Sequence, residues 1–462
     1  MLAVKQYNLY DSFSESAVFK IDGIEGYYGG EIKYSPEDGI TGSVNCFCDQ
    51  PLFTCEDDMQ PFYVRAAFSN GRYATLCKCT LEVKFRTFFS KTFYFTACYV
   101  FNGICFHENI KIKGIDIIFN SWEKFYLGKM PKNRNIEYKN SPIKIDNNVL
   151  FCIRDIPEYG GGCNYVFSPD IDIHNRIQEI VQDTLKDSGI SLDISTVKST
   201  PLIHIDSEVS FLGIDAYYRL IIKISQLIFV LTGVPTGPIH ISLSGEHCFS
   251  DGHIEHGEYP FLFQPVIKKS IINNNYAYKG YIYQELFSYK DIEGVLPEIV
   301  KNFFVNYVTF FDIIDKITYN QKIGNSSKFT IASNIDAMSY LANIEGYQEK
   351  KKYDECIKNY AFEPLNLYIK NLFSDRKEKL GRAISNLRAS VVHPGNQEYM
   401  DLFDKIIHKA PVIDNILALI PLNYLQESIG IPEELRCKFQ KYWLDIYSSY
   451  EYVEYDRPDG EE

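Results

Sequence analysis

The spacing of apolar residues changes its period once along these 462 residues, near residue 280, and that change limits the fold more than any other feature. Before it, apolar side chains recur at every second position, with Leu81, Val83 and Phe85 as one set and Ile115, Ile117 and Phe119 as another. Such alternation predicts strands with one face turned to a core. Asn70-Gly71, between runs at 63–68 and 72–76, predicts a hairpin because both positions tolerate positive φ. Strands are predicted at 202–205 and 239–243, helices at 171–186 and 215–231, and a flexible loop at Tyr159-Gly-Gly-Gly162. After residue 290 the period becomes helical: Leu296, Ile299, Val300, Phe303, Tyr307, Phe310, Phe311 and Ile314 follow one face over several turns. Further helices are predicted at 335–347, 353–372, 376–392, 398–410 and 432–447, followed by an acidic, frayed tail. The expected class is therefore α+β and multidomain. Residues 1–280 form a β-rich domain with a few helices and a candidate subdivision near 165; residues 285–450 form an all-α up-and-down bundle; residues 451–462 form the tail.

Charge excludes one class of function. A formal net charge of -13 opposes nonspecific binding to nucleic acid, so any nucleic-acid site has to be a local basic cleft. The N-terminal residues lack a long apolar core of the kind that leader peptides carry, and the most apolar window, 220–234, is interrupted by Lys223, Ser225 and Gln226. It is too short for a membrane span of about 20 residues and reads as a buried amphipathic helix. A cytoplasmic protein without membrane contact is expected, with its twelve cysteines reduced. Two clusters have metal-ligand chemistry. Cys46, Cys48, Cys77 and Cys79, with Cys55 between, hold enough thiolates for tetrahedral zinc. Cys-x-Cys in alternating sequence also describes two small core residues on one strand face, and that is the reading adopted. His247, Cys248, His253 and His256, beside Asp251 and Glu255, match no established ligand spacing and read as a polar surface loop. No metal or cofactor is assigned.

One stretch points to chemistry. Within Arg382-Ala-Ile-Ser-Asn-Leu-Arg388-Ala-Ser-Val-Val-His393, Leu380, Ala383, Ile384, Leu387 and Val391 form an apolar stripe, while Lys379, Arg382, Asn386 and Ser390 fall on the other side. Arg388 lies at the edge between the two. Pro394 pushes His393 out of the α region, and Gly395 suits a helix terminus, so the imidazole is released from the helical track. A fixed guanidinium and a titratable imidazole suffice for RNA cleavage without a metal. The 2′-hydroxyl is already tethered beside the phosphorus, so the site has to take its proton, neutralise the phosphoryl oxygens and protonate the leaving 5′-oxygen. Arginine's planar fork matches two phosphate oxygens, and histidine serves either proton transfer. Two copies of the helix across a dimer axis would supply two of each. Lys377, Lys379 and Arg382 are candidate phosphate contacts, and a basic residue near a helix C-terminus also has a purely electrostatic role with the helix dipole.

The run Asn386-Leu-Arg388-Ala-Ser-Val-Val-His393-Pro-Gly resembles the Arg-x4-6-His motif of HEPN ribonucleases, and the chain as a whole resembles the ApeA type of anti-phage HEPN protein. The resemblance implies a β-rich N-terminal sensor domain and a HEPN nuclease bundle. It further implies a homodimer or higher homo-oligomer that cleaves tRNA or other host RNA in abortive infection, under a phage-encoded activator. It puts Arg388 and His393 at the two catalytic positions. Many members carry Asn, Asp or His directly after the arginine, where this chain has Ala389; Asn386 and Ser390 are the nearest polar substitutes. The alternative reading is an inert HEPN dimerisation platform whose N-terminal domain binds a ligand or a phage protein.

Overall fold

The computed structural model describes residues 8–22, 24–47, 62–69, 71–86, 90–103, 111–120, 122, 125, 142–146, 149–161, 165–168, 194–207, 212–248, 254–257, 259–267, 269, 288–318, 328–374, 379–393 and 410–449. Two units are defined by their internal contacts: residues 1–222 with 237–269, and residues 223–236 with 270–462. The first is β-rich and the second helical. Within the described residues no helix is long and apolar enough to cross a membrane.

Alternation in the first unit produces antiparallel sheet throughout. Strands β1 (Phe13–Ile21), β2 (Tyr28–Ser35), β3 (Gly39–Phe47), β4 (Phe62–Phe68), β5 (Tyr73–Arg86) and β6 (Ser90–Asn102) pair in the order β6-β3-β2-β1-β4-β5, and β5 returns to β6. The result is a closed six-stranded barrel, which leaves no free edge. Its inward positions are filled by Phe19, Ile32, Tyr34, Val64, Leu76 and Phe95, all buried. Closure needs glycine where the wall meets a ring: a Cβ on Gly42 would enter the Phe95 ring. The β4–β5 hairpin forms as predicted, with Gly71 at φ 78° and its N–H donating to the Phe68 carbonyl at 3.0 Å; Asn70 lies outside the described residues. The backbone register changes between Leu81 and Val83, two positions that strict alternation predicts to be equivalent. A register shift puts Leu81 opposite Phe95 and Val83 opposite Tyr94, successive residues of β6, because one extra residue is accommodated on β5. A second bulge, against β4, contains Lys78 at φ 53°, between the buried Cys77 and Cys79.

The remaining strands form a second sheet. Strands β7 (Lys111–Phe119), β8 (Ile143–Asp146), β9 (Val149–Gly161), β10 (Tyr165–Ser168), β11 (Ile194–Ser207), β12 (Leu212–Gly213), β13 (Pro238–Cys248), β14 (Ile254–His256) and β15 (Tyr259–Phe263) include the path β10-β9-β11-β7-β13-β15. β15 also pairs with β6 and so joins the sheet to the barrel. Ile115, Ile117 and Phe119 form the apolar face that alternation predicts, and all three are buried. Two loop expectations are corrected. Gly160 and Gly161 belong to β9 and pair with Ser195 and Ile194, because glycine meets no steric barrier to extension. In the second histidine cluster the flanking residues are strand rather than loop: β13 and β14 pair antiparallel, with His247 opposite Glu255 and His256 opposite Glu246. The helix predicted at 171–186 and residues Cys48, Cys55, Asp251 and His253 lie outside the described residues, and among those described no group of three potential ligands gathers for a metal.

Helix α1 (Ile214–Thr232) realises the apolar window and contributes its last turns to the helical unit. There follow α2 (Tyr289–Ile292), α3 (Leu296–Ile317), α4 (Lys328–Ile344), α5 (Lys352–Tyr360), α6 (Glu363–Leu372), α7 (Leu380–Val392), α8 (Ala410–Ser428) and α9 (Glu433–Ser449). The single helix expected at 353–372 is two. Pro364 in the middle of a continuous helix would clash with the preceding turn; instead it sits in the first turn of α6, after Ala361 and Phe362 leave the helical region. Periodicity does not single out α8. Val412, Ile413, Ile416, Leu417, Leu419, Ile420 and Leu422 bury it on all sides, and Pro421 lies inside it. Buried amides tie it to its neighbours: Asn334 donates to both the carbonyl and the carboxylate of Asp414, and Gln440 donates to Tyr360 and Leu419 carbonyls. On α3, Phe311 is 46% exposed, contrary to its expected place on the apolar face, and Ile313 and Ile317 take the buried positions. The helix predicted at 398–410 and the tail after 450 lie outside the described residues, save that residue 410 opens α8.

Candidate functional site

Helix α7 is held on one side by its apolar stripe. Ala383, Ile384, Leu387 and Val391 are buried, each large side chain contributing about 1.5–3 kcal/mol. Its first turn lacks a capping side chain of its own, since Lys379 is the N-cap residue. Asp354 of α5 supplies the acceptor instead, receiving the Gly381 N–H at 2.8 Å. A carboxylate at a helix N-terminus meets the positive end of the dipole. The same contact requires glycine, since a Cβ at 381 would lie 2.7 Å from an Asp354 oxygen.

Midway along α7, Arg388 reaches across to α4, where its Nε donates to Asp336 Oδ1. The side chains are 40% and 27% exposed, so the pair sits at the rim of the core as the helical edge position predicts. Asp336, chiefly through this hydrogen bond, raises the Arg388 pKa further above neutrality and outweighs the opposing desolvation. Because Nε is the anchored atom, the two Nη groups make no protein hydrogen bond among the described residues. They are available for two acceptors on one planar group. Tyr353 of α5 completes the surroundings: its hydroxyl shares a 2.9 Å hydrogen bond with Ser339 of α4. Three helices, α4, α5 and α7, thus converge at Arg388.

His393 closes α7 as its C-cap, with φ -122° and ψ 66°, outside the α region as expected of a residue before proline. Its backbone N–H still donates to the Ala389 carbonyl at 2.9 Å, while the side chain is exposed. Pro394 and Gly395 lie outside the described residues, as does Lys377.

The other candidates are placed differently. Ser390 is buried, and its hydroxyl donates back to the Leu387 carbonyl at 2.6 Å, so it is corrected from a solvent-side contact to a satisfied core residue. Asn386 is half-buried. Lys379 and Arg382 are exposed. At about 100° per residue Arg382 starts roughly 120° around the helix from Arg388, and Lys379 precedes the helix with extended backbone, so neither shares the Arg388 face by helical position. Sequence reasoning missed Asp336 and Asp354. Asp336 leaves a trace, as the one carboxylate within the otherwise apolar or neutral run from Ile331 to Leu341; Asp354, in a mixed polar helix, leaves none.

Neither a family model, a curated protein nor a solved structure matches the chain.

Proposed function

We propose that the helical unit is a HEPN-type bundle acting as a metal-independent endoribonuclease, with Arg388 and His393 as its catalytic pair. The observation that carries this reading is their joint presentation on α7: a half-exposed guanidinium anchored through Nε, and an exposed imidazole turned out of the helix five residues later. In this scheme the Arg388 Nη groups meet two phosphoryl oxygens. An imidazole takes the 2′-hydroxyl proton, the 2′-oxygen attacks phosphorus, and the 5′-oxygen leaves with a proton from the second imidazole of a dimeric site. Asp336 is a positioning residue that fixes the plane of the fork. The substrate is RNA with splayed, single-stranded geometry, such as tRNA loops. The biological setting is anti-phage defence in the cytoplasm, with the β-rich unit sensing a phage-encoded activator.

The test is incubation of total tRNA with the protein in EDTA, with and without extract of infected cells. Fragments are expected, and Arg388→Ala and His393→Ala each abolish them. Cleavage that persists in both variants rejects the assignment.

A second reading is supported by Ala389 and the buried Ser390, which leave the two positions directly after the arginine without an exposed polar side chain. Under it the bundle is an inert dimerisation platform and the β-rich unit is the binding module. Absence of cleavage by the unaltered protein under every activating condition decides for it.

A further inference from the structure

Helix α3 has a second seam on the side away from its buried face. Glu298, Lys301, Val305, Val308 and Asp312 are spaced by three, four, three and four residues, and all are exposed, Val305 at 71% and Val308 at 85%. That spacing is the one by which a helix seats a partner helix along its length. Valine on a solvent face is unfavourable on two counts. Its β-branch lowers helix propensity, and its apolar surface contributes nothing to the fold when left in water. Phe311 on the same helix and Phe329 at the start of α4 are exposed as well, at 46% and 57%. An exposed apolar row with charged ends marks an interaction surface.

The order of charges selects the occupant. Lys301 and Asp312 stand equally far from the midpoint between Asn306 and Tyr307, and so do Val305 and Val308. A second α3 running antiparallel about a two-fold axis through that midpoint places Val305 opposite Val308 and Lys301 opposite Asp312, twice over. A parallel partner would set lysine on lysine and aspartate on aspartate. At the ends of the seam Glu298 comes opposite Asp315 with Lys316 adjacent, so the outer turns add no clear attraction. We propose that this seam of α3 takes a second copy of the chain in antiparallel register, as an isologous contact.

The contact does not rest on the ribonuclease reading. The seam is on α3, whereas Arg388 and His393 are on α7, and each of these helices packs on α4. If two copies of α7 also meet around a cleft, the two isologous contacts together build an assembly larger than a dimer.

The full-length chain is tested by sedimentation velocity at micromolar concentration. Association is expected, and Val308→Glu, which alters a side chain already in solvent, weakens it by on the order of a hundredfold. Lys301→Asp weakens it roughly tenfold, because it sets like charges together at both ends. Adding Asp312→Lys to the same chain restores the lost affinity to within roughly threefold. A monomeric unaltered protein, an unchanged assembly in Val308→Glu, or a double charge swap no tighter than Lys301→Asp alone each overturns the proposal. RNA cleavage enters none of these readouts, so the result stands apart from the fate of the nuclease reading.

Discussion

Replacing Asp336 by alanine separates the anchoring of Arg388 from its chemistry. A charge-assisted hydrogen bond in a buried setting is worth about 1.5–3 kcal/mol, and an exposed ion pair about 0–1 kcal/mol. With side chains 40% and 27% exposed, this pair falls between those limits and is discounted for solvent screening to about 1 kcal/mol. The expected loss of stability is therefore small, a shift in Tm of roughly 2–4 °C for a unit of this size. The effect on cleavage is separate. On the proposed ribonuclease reading, a released Arg388 samples several rotamers, the fraction presenting both Nη groups to a phosphate falls, and cleavage is expected to drop by roughly tenfold without vanishing. Asp336→Asn, which keeps an acceptor for the Nε–H, recovers part of that loss. The assay is the initial rate of tRNA cleavage in EDTA, alongside thermal unfolding of the same preparations. Asp336→Ala cleaving at the unaltered rate would show that the pair only braces α4 against α7. Faster cleavage would mean that Asp336 competes with phosphate for the guanidinium. Either result refutes the positioning argument.

Three further outcomes follow from the fold. Gly42→Ala forces a methyl into the Phe95 ring inside the barrel and is expected to destabilise the β-rich unit by about 1–3 kcal/mol, seen as a lower denaturant midpoint. Lys78, which donates to Asp215 at 2.5 Å, is the first cause of that carboxyl's lowered pKa, with a hydrogen bond from Tyr99 as a smaller one. A lowered folded-state pKa contributes stability above the unfolded carboxylate value, and the contribution is lost as pH falls through the folded value. Lys78→Met should raise the Asp215 pKa and weaken the acid-side dependence of stability; an unmoved Asp215 resonance in a carboxyl titration contradicts this. Burial pushes the Cys356 thiol up to about 12 and holds Cys77 and Cys79 well above the ordinary thiol value, whereas Cys98 is exposed. Brief iodoacetamide treatment at pH 8 followed by peptide mass mapping is expected to modify Cys98 ahead of these three, and early modification of Cys356 contradicts the placement.

Much of this architecture was legible in periodicity, because strand and helix impose different spacings on residues that must face a core. Ile115, Ile117 and Phe119 belong to such a case, as do Ala383, Ile384 and Leu387. Barrel closure was not legible, since it depends on β5 finding β6 and on glycines whose need appears only when Phe95 is in place. Helix α8 was hidden because burial on every side erases a periodic signal, and Pro421 suggests a break that the structure absorbs. At the candidate site, Arg388 on the rim and His393 at the helix end could be read from the stripe and the following proline. Ser390 could not, because the Leu387 carbonyl one turn earlier accepts from its hydroxyl and allows it inside. The partners of α7, Asp336 and Asp354, come from other helices, and only tertiary structure brings them to the arginine and to Gly381.

The central claim is that the 2′-hydroxyl of RNA is the nucleophile at a site built from Arg388 and His393. Its most direct measurement is the chemistry of the new 3′ ends released from tRNA by the unaltered protein in EDTA, read by mass spectrometry. Attack by the 2′-hydroxyl leaves 2′,3′-cyclic phosphate, which is the expected end; fragments carrying a free 3′-hydroxyl would rule that nucleophile out.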